Sequence, residues 1–263
     1  MKHVMVAGMV SLALAAPVRA DVKLTESVGG KGVGMSGSMP VTTYIKGLKL
    51  RSDSTSGDTV RTTIFDVQNQ KMYIFDSKKK EADVWDMADF GKQLGGDGDG
   101  AEATASFKPN GQTKQLAGKT ATGYDMNITM PSTMGGAKNG PNMTVTLTGT
   151  TWIVKGAPGT ADFQKFYAAA AEKGFIFTDP RAAKAQPGQA RARAQMYRQM
   201  AATGGVPYEY LMNIKMSGEG PMAGMMARMG NIEVTSSVQT VEIGQFSDDM
   251  FAPPAGYKLN LKK

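Results

Sequence analysis

Short runs rich in β-branched and aromatic residues fill the first half of the chain, and breaks rich in Gly, Asn, Lys and Ser separate them. Four such runs occupy residues 41–54, 58–67, 71–77 and 81–87. Their composition and close spacing are typical of an antiparallel meander. The turn at 68–71 is short enough to form a hairpin. Further runs at 120–131 and 142–156 predict two more strands.

A helical period replaces this pattern in the second half of the chain. Phe163, Phe166, Tyr167 and Ala170 recur at helical spacing. Thr160 or Asp162 is the expected N-cap of this helix, and Gly174 is its expected end. A second helix is predicted over 190–203, before the pair of glycines at 204–205.

Strand-type runs return at 206–220 and 231–246. The chain therefore predicts an α+β fold that is mostly β, with one antiparallel sheet of about seven to nine strands. The two predicted helices pack on its concave face. Residues 21–263 are interpreted as a single domain, with an Ala/Arg-rich helical segment at 181–203.

The stretch PMAGMMARMG, residues 221–230, lies between the last two strands, as a short helix or a long hairpin connection. If it is helical, four methionines share one face: Met222, Met225, Met226 and Met229. Thioethers favour copper(I), but copper sites often add His or Cys. Methionine more often fills irregular apolar surfaces. We interpret these four residues, with Met196 and Met200, as core or cavity lining and expect no metal there.

The first twenty residues have the three parts of a secretion signal. Lys2 and His3 precede an apolar run at 4–16, and the segment ends at the small residue Ala20. We expect cleavage after Ala20. The apolar run is too short to span a bilayer, and no later segment predicts a transmembrane helix. The expected location is the periplasm of a Gram-negative bacterium.

The mature chain lacks the residues that many catalytic sites use. It has no Cys, and its single His is His3 in the signal. Triads that use His, thiol nucleophiles and Cys/His zinc sites are therefore excluded. Carboxylate pairs remain as an acid/base route, but aspartates at strand ends usually cap turns. We expect no enzyme activity and no cofactor.

The positive charge is local. Removal of the signal lowers the formal net charge from +7 to +5, and residues 181–202 carry five basic side chains without an acid. A solvated helix face is the simplest interpretation. The alternative is contact of Arg191, Arg193 and Arg198 with an anionic membrane surface. Nucleic acid is disfavoured by the secretion signal and by the lack of aromatics between the arginines.

Several short motifs of this chain occur in the same order as in a known protein family. The run YIKGLKLRSD, followed by TTIFDVQNQKMYIFDSKKKEADVW, resembles an uncharacterised bacterial periplasmic family that pairs a K-G-x-K-x-R strand with an I-x-D hairpin. Later motifs of that family also resemble ATGYDMNITM, GGVPYEYLMNIK and FSDDMFAPPAGYK. The family is similar in fold to the periplasmic lipoprotein carriers. This resemblance implies an open half-barrel with a hydrophobic cavity, and it implies no activity.

Three functions from different classes remain open. The first is a binding protein that encloses a hydrophobic ligand such as a lipid or an acyl chain. The second is a methionine-rich copper-handling protein, and the third is an envelope structural or interaction protein without a small ligand. The first is the preferred interpretation, and its expected partners are a lipid or an envelope protein.

Overall fold

Residues 21–32, 35–88, 104–133, 142–173, 180, 187–219 and 221–262 are described by the computed structural model. The expected secretion signal at 1–20 lies outside them. The described part forms twelve strands: β1 (Asp21–Gly32), β2 (Met35–Lys46), β3 (Lys49–Ser56), β4 (Thr59–Asp66), β5 (Lys71–Asp76), β6 (Glu81–Asp86), β7 (Thr104–Leu116), β8 (Lys119–Thr133), β9 (Asn142–Lys155), β10 (Gly205–Gly218), β11 (Ile232–Gly244) and β12 (Lys258–Lys262).

All twelve strands belong to one sheet, in the order β12-β6-β5-β4-β3-β2-β1-β11-β10-β9-β8-β7. Strand β12 pairs in parallel with β6, and the other neighbours are antiparallel. The two meanders β1–β6 and β7–β11 join where β1 pairs with β11. The sheet is open, because β7 and β12 form its two edges. The predicted class, α+β and mostly β on one open sheet, is confirmed.

The number of strands is larger than the seven to nine expected. The predicted run 41–54 is a hairpin, in which β2 and β3 meet at Gly47 with a φ of 58°. Strands β1, β7 and β12 were not expected at all. The first is rich in glycine, and the other two contain Lys and Asn, which disfavour strands locally. Pairing with neighbours in the sheet overrides that preference.

Three helices are described: α1 (Thr160–Glu172), α2 (Pro187–Ala202) and α3 (Pro221–Met229). Helices α1 and α2 pack against each other, and together they contact strands β1, β2, β7, β8 and β10. Phe163 and Phe166 of α1 are buried in the main core with residues of these strands. Helix α3 packs against β10 and is the short-helix alternative for the methionine-rich stretch.

The N-cap of α1 is Gly159, so the expectation of Thr160 or Asp162 is wrong. Gly159 has a φ of 74°, and a Cβ there would lie 2.2 Å from Cγ2 of Val22 on β1. The Thr160 hydroxyl donates instead to the Ala157 carbonyl at 2.7 Å. The close packing of β1 therefore selects glycine at this position, ahead of a side-chain cap.

A second, smaller core lies on the opposite face of the sheet. Phe251, in a short 3₁₀ helix (Asp248–Phe251), is buried against Ile64, Phe75 and Ala82. The Arg51 guanidinium donates to the Met250 carbonyl at 3.0 Å. The segment before β12 is thus held on the outer face of the meander β1–β6, which leaves the inner face to the helices.

Candidate ligand-binding cavity

The inner face of the sheet is built from rows of cross-strand neighbours, because residues paired in an antiparallel ladder point to the same side. One row is apolar and buried throughout: Val22, Ile45, Leu50, Phe65 and Met72. This row lies on the inner face of strands β1 to β5 and contributes to the main core.

The next rows on the same strands are polar. Thr43, Ser52 and Thr63 are successive neighbours on β2, β3 and β4. In the row beyond them, Ser54 pairs with Arg61. The inner face of the first meander therefore changes from apolar to hydroxyl-rich within a few residues along each strand.

The inner face of the second meander is apolar. One row runs from Met212 through Gly149 and Met126 to Phe107. A Cβ at Gly149 would lie 2.0 Å from the Leu211 carbonyl oxygen, so this position accepts only glycine without movement of the backbone. A parallel row contains Ile214, Leu147 and Ile128. The two meanders thus give the inner face an apolar half and a partly polar half.

A cavity of about 370 Å³ lies between this sheet and helices α1 and α2. Its lining is mainly apolar and aromatic: Leu24, Glu26, Thr43, Phe107, Met126, Ile128, Leu147, Thr151, Phe163, Tyr167, Arg193, Met196, Tyr197, Met200, Pro207, Tyr210, Met212, Ile214 and Val238. We call it the apolar cavity.

The lining of this cavity requires a curved sheet. It includes residues of seven adjacent strands, from β2 across to β7. Laid flat, seven strands would extend over about 29 Å. A single cavity of about 370 Å³ can contact all of them only if the strands wrap around it. The expected concave face, with α1 and α2 packed on it, is therefore present.

Aromatic rings form the helical wall of the cavity. The centroid of Tyr167 on α1 lies 4.2 Å from that of Phe163 and 5.6 Å from that of Tyr197 on α2. The pair of Tyr167 and Tyr197 joins the two helices and favours a defined orientation between them. Burial raises the pKa of both tyrosines, so their hydroxyls are neutral at physiological pH.

One carboxyl group faces this apolar surface. Glu26 on β1 lines the cavity, and burial raises its pKa above the ordinary carboxyl value. The Ser236 hydroxyl donates to Glu26 Oε2 at 2.6 Å and opposes that shift. Burial also raises the pKa of Tyr210, to about 12, with the charge of Glu26 adding to the shift. Glu26 and Tyr210 therefore form a polar group within the apolar lining, and Ser236 supports Glu26 through its hydrogen bond.

A second cavity, of about 280 Å³, adjoins the first. The two share Glu26, Thr43, Tyr167 and Tyr197. The second cavity is also lined by Leu50, Ser52, Ser54, Arg61, Thr63, Phe65, Met72 and Ile74. We call it the polar cavity, because it contains the hydroxyl-rich rows of β2, β3 and β4.

The methionines singled out from the sequence fall in two places. Met196 and Met200 on α2 are among the lining residues of the apolar cavity. Met226 on α3 is buried, and it is not one of the lining residues. The side chains of Met222, Met225 and Met229 lie outside the described part of the structure. Two lining methionines that were not singled out are Met126 and Met212.

The three arginines proposed for an anionic surface are also separated. Arg193 lines the apolar cavity and lies close enough to Tyr197 to affect its pKa. Arg198 is exposed on α2, whereas the side chain of Arg191 is outside the described residues. The membrane hypothesis for these residues stays a prediction.

Glu26 was missed by the sequence reasoning, although its position carries a signal. Every second position from 22 to 28 carries Val, Leu, Glu and Val, so a carboxyl lies on the side of β1 where the other side chains are apolar. Because this glycine-rich segment was not recognised as a strand, the side of β1 on which Glu26 lies could not be predicted.

Within the described residues, no group of three His, Cys, Asp or Glu side chains is arranged to hold a metal ion. None of the described helices combines the length and apolar composition needed to cross a bilayer.

Solved structures with low sequence identity are among the proteins that this chain resembles. No family model and no curated protein matches the chain. A solved structure of a protein named PNGF-II has 11% sequence identity and a TM-score of 0.39, and it covers 93% of this chain and 31% of that chain. This chain therefore spans about a third of the length of PNGF-II. A domain assigned to an outer membrane lipoprotein-sorting protein from Vibrio parahaemolyticus has 8% identity and a TM-score of 0.29 and covers 88% of each chain.

Proposed function

We propose that this chain is a secreted, non-enzymatic binding protein that takes the apolar chain of a lipid or a similar molecule into the apolar cavity. The observation that carries this proposal is the cavity of about 370 Å³, with its lining of aliphatic, aromatic and methionine side chains. Ligand sites are commonly concave, mostly apolar and supplied with a few polar groups. Glu26, Tyr210 and Arg193 are such groups here.

The volume of the cavity supports a ligand of moderate length. At about 30 Å³ for each heavy atom, the share of one water molecule in the liquid, a volume of about 370 Å³ holds about twelve atoms. A linear chain of about ten to twelve carbons therefore fits. Longer chains need the adjoining polar cavity or an opening to solvent.

Four methionines in the lining support a site that accepts ligands of different shapes. Met126 and Met212 lie on the sheet, and Met196 and Met200 lie opposite them on α2. Methionine has several rotatable bonds and a polarisable thioether, so it adapts to irregular apolar surfaces. A binding function with broad tolerance follows more naturally from this lining than a single shape-selective ligand.

The absence of enzyme activity remains part of the proposal. The mature chain has no His and no Cys, and Glu26 is held by Ser236 in an apolar environment. A periplasmic location rests on the secretion signal at 1–20, and membership of the uncharacterised periplasmic family rests on the motif order. The periplasmic location and the family membership are therefore proposed together with the binding function.

Binding is tested with N-phenyl-1-naphthylamine, an uncharged probe whose fluorescence rises in apolar surroundings. Met212→Trp fills the cavity from β10 and is expected to weaken probe binding by at least about tenfold, because a bulky ring removes the ligand volume. Leu211→Trp is the matched control, since Leu211 is the preceding residue, points to the other face and is 42% exposed. Its probe affinity should equal that of the parent protein.

The same preparation distinguishes the alternatives. Native mass spectrometry of protein purified from its own periplasm should detect a bound lipid mass that Met212→Trp lacks. A copper adduct without lipid would support the copper-handling alternative. Absence of both probe binding and bound lipid would overturn the proposed function in favour of a structural role.

A further inference from the structure

We propose that the ligand is an amphiphile with an uncharged head rich in hydroxyl groups, and that the polar cavity holds this head while the apolar cavity holds the chain. This inference rests on the proposed function. It is carried by the junction of the two cavities and by the chemistry of the polar one.

The two cavities share a boundary that one molecule can cross. Glu26 and Thr43 belong to both linings from the side of the sheet, and Tyr167 and Tyr197 belong to both from the side of the helices. A ligand that passes between these four residues has its chain against methionines and aromatics. Its other end then lies against β3 and β4.

The polar cavity offers hydroxyl groups that the protein itself leaves available. Thr43, Ser52 and Thr63 are half-buried and form a row across β2, β3 and β4. Among the described residues, none of these three hydroxyls has a hydrogen bond to another protein group. Within the same described part, the Ser54 hydroxyl makes one long bond of 3.4 Å, to the Arg61 carbonyl.

Half-buried hydroxyls without protein partners favour a ligand that supplies hydrogen-bond donors and acceptors to them. Each can donate one hydrogen bond and accept others. Direct neighbours across an antiparallel pair are about 5 Å apart at Cβ, so successive members of the row can bond to separate hydroxyls of one head. A polyol has donors and acceptors at each position, which matches a row of groups that both donate and accept.

The charges in the polar cavity argue against a charged head. Its lining contains one carboxyl, Glu26, and one guanidinium, Arg61, so ionisable groups of both signs are present. An anionic head would lie beside a carboxyl, and a cationic head would lie beside the guanidinium. A neutral head avoids both repulsions, and its hydroxyls can bond to either group.

The volume agrees with a small head. About 280 Å³ corresponds to about nine heavy atoms at about 30 Å³ each. A glycerol fits within this space, and a single sugar ring fills it and extends toward the shared boundary. A disaccharide or a larger head exceeds it.

The inference is tested with three probes that share a ten-carbon chain: decyl glucoside, decyl sulfate and decyltrimethylammonium. Each displaces N-phenyl-1-naphthylamine in a titration below its micelle concentration. We expect decyl glucoside to bind at least about tenfold more tightly than the two charged probes, because its head can both donate to and accept from the hydroxyl row without placing a charge beside Glu26 or Arg61.

The double substitution Ser52→Ala/Thr63→Val removes two members of this row, and it should lower the affinity for decyl glucoside by about tenfold. The affinity for decyl sulfate should stay within about twofold of the parent value. The matched control is Ser27→Ala/Thr42→Val, which makes the same exchanges on the other face of β1 and β2. Its preference among the three heads should be unchanged.

The outcomes separate the two proposals. Tightest binding of decyl sulfate, equal binding of all three probes, or an unchanged glucoside affinity in a folded Ser52→Ala/Thr63→Val variant would each overturn the inference while leaving the binding function in place. If that variant does not fold, the preference of the parent protein among the three heads decides the matter. Failure of every decyl probe and of the naphthylamine overturns the proposed function itself.

Discussion

The Ser236 hydroxyl on β11 donates a 2.6 Å hydrogen bond to Oε2 of Glu26 on β1, across 210 positions of sequence. This bond joins the two meanders at the wall of the apolar cavity. Because burial raises the pKa of Glu26, the folded state holds its proton more tightly than the unfolded chain. The resulting contribution to stability is full below the ordinary carboxyl pKa of 4.5 and is lost as the pH rises through the folded-state pKa.

Glu26→Gln is therefore expected to gain in stability relative to the parent protein as the pH rises from about 4 to about 8. Thermal unfolding of both proteins across this range measures the difference. Ser236→Ala removes a bond that lowers the pKa of Glu26. The pH range over which the stability contribution of Glu26 is lost should therefore move to higher pH. The same substitution in the Glu26→Gln background should cause no such movement. A stability difference that is independent of pH would contradict this account of Glu26.

Gly159→Ala is expected to cost about 2 to 5 kcal/mol, because it adds a left-handed backbone penalty to a clash with Val22. Gly156 has a similar φ of 65° with nothing near its Cβ position, so Gly156→Ala should cost only about 1 to 2 kcal/mol. Urea unfolding measures both. Adding Val22→Ala to Gly159→Ala should relieve part of the clash. Equal costs at the two glycines would show that the contact with Val22 is unimportant.

Phe251→Ala is expected to lower the free energy of unfolding by about 3 to 5 kcal/mol, since the ring is 2% exposed in the smaller core. The control is Leu261→Ala in β12, where the side chain is 80% exposed and little should change. Because this core lies on the outer face, folded Phe251→Ala protein should bind N-phenyl-1-naphthylamine with parent affinity. A loss of affinity greater than the unfolded fraction explains would refute the separation of the two faces.

The methionines of α2 and α3 are expected to differ in their effect on binding. Met196→Leu/Met200→Leu keeps the apolar cavity apolar at a cost below about 1.5 kcal/mol for each exchange, but it should narrow the range of chain lengths bound. Replacing Met222, Met225, Met226 and Met229 by Leu should leave that range unchanged. Titration with alcohols of increasing chain length measures it. Tight binding of one equivalent of copper(I), lost in the fourfold Leu variant, would instead favour the copper-handling alternative.

The arginines of α2 give a separate prediction about membranes. If Arg191, Arg193 and Arg198 contact an anionic surface, binding to acidic lipid vesicles should fall as salt rises, since exposed charges are screened within about 8 Å at physiological ionic strength. Replacement of all three by Gln should abolish sedimentation with the vesicles. Arg198→Gln alone, at an exposed site, should reduce it without affecting the naphthylamine probe. Unchanged sedimentation of the triple variant would leave only the solvated-face interpretation.

The sequence was most informative where a short period repeats within one element. The β-branched and aromatic runs predicted β4, β5 and β6 closely, because each run is bounded by turn residues. The spacing of Phe163, Phe166 and Ala170 identified the buried face of α1. Such patterns depend on which side of a strand or helix is buried, and that information is local.

The sequence was least informative where pairing overrides composition. Glycines in β1 and polar residues in β7 disfavour a strand by themselves, yet both segments are completed by their neighbours in the sheet. The prediction of the N-cap of α1 was wrong for a similar reason. Contact with Val22, more than a hundred positions earlier, selects a glycine where a side-chain cap was expected.

The composition and periods of this chain determined by themselves that it is mostly β, that two amphipathic helices follow the first strands, and that it has no Cys and a single His, His3. Only the tertiary structure decided which strands meet. The order of the sheet brings β1 beside β11 and faces both with α1 and α2, so Glu26, bonded to Ser236, and the paired tyrosines gather at one cavity. Periodicity records the face on which a residue lies, but the partner across that face depends on contacts between segments far apart in the chain.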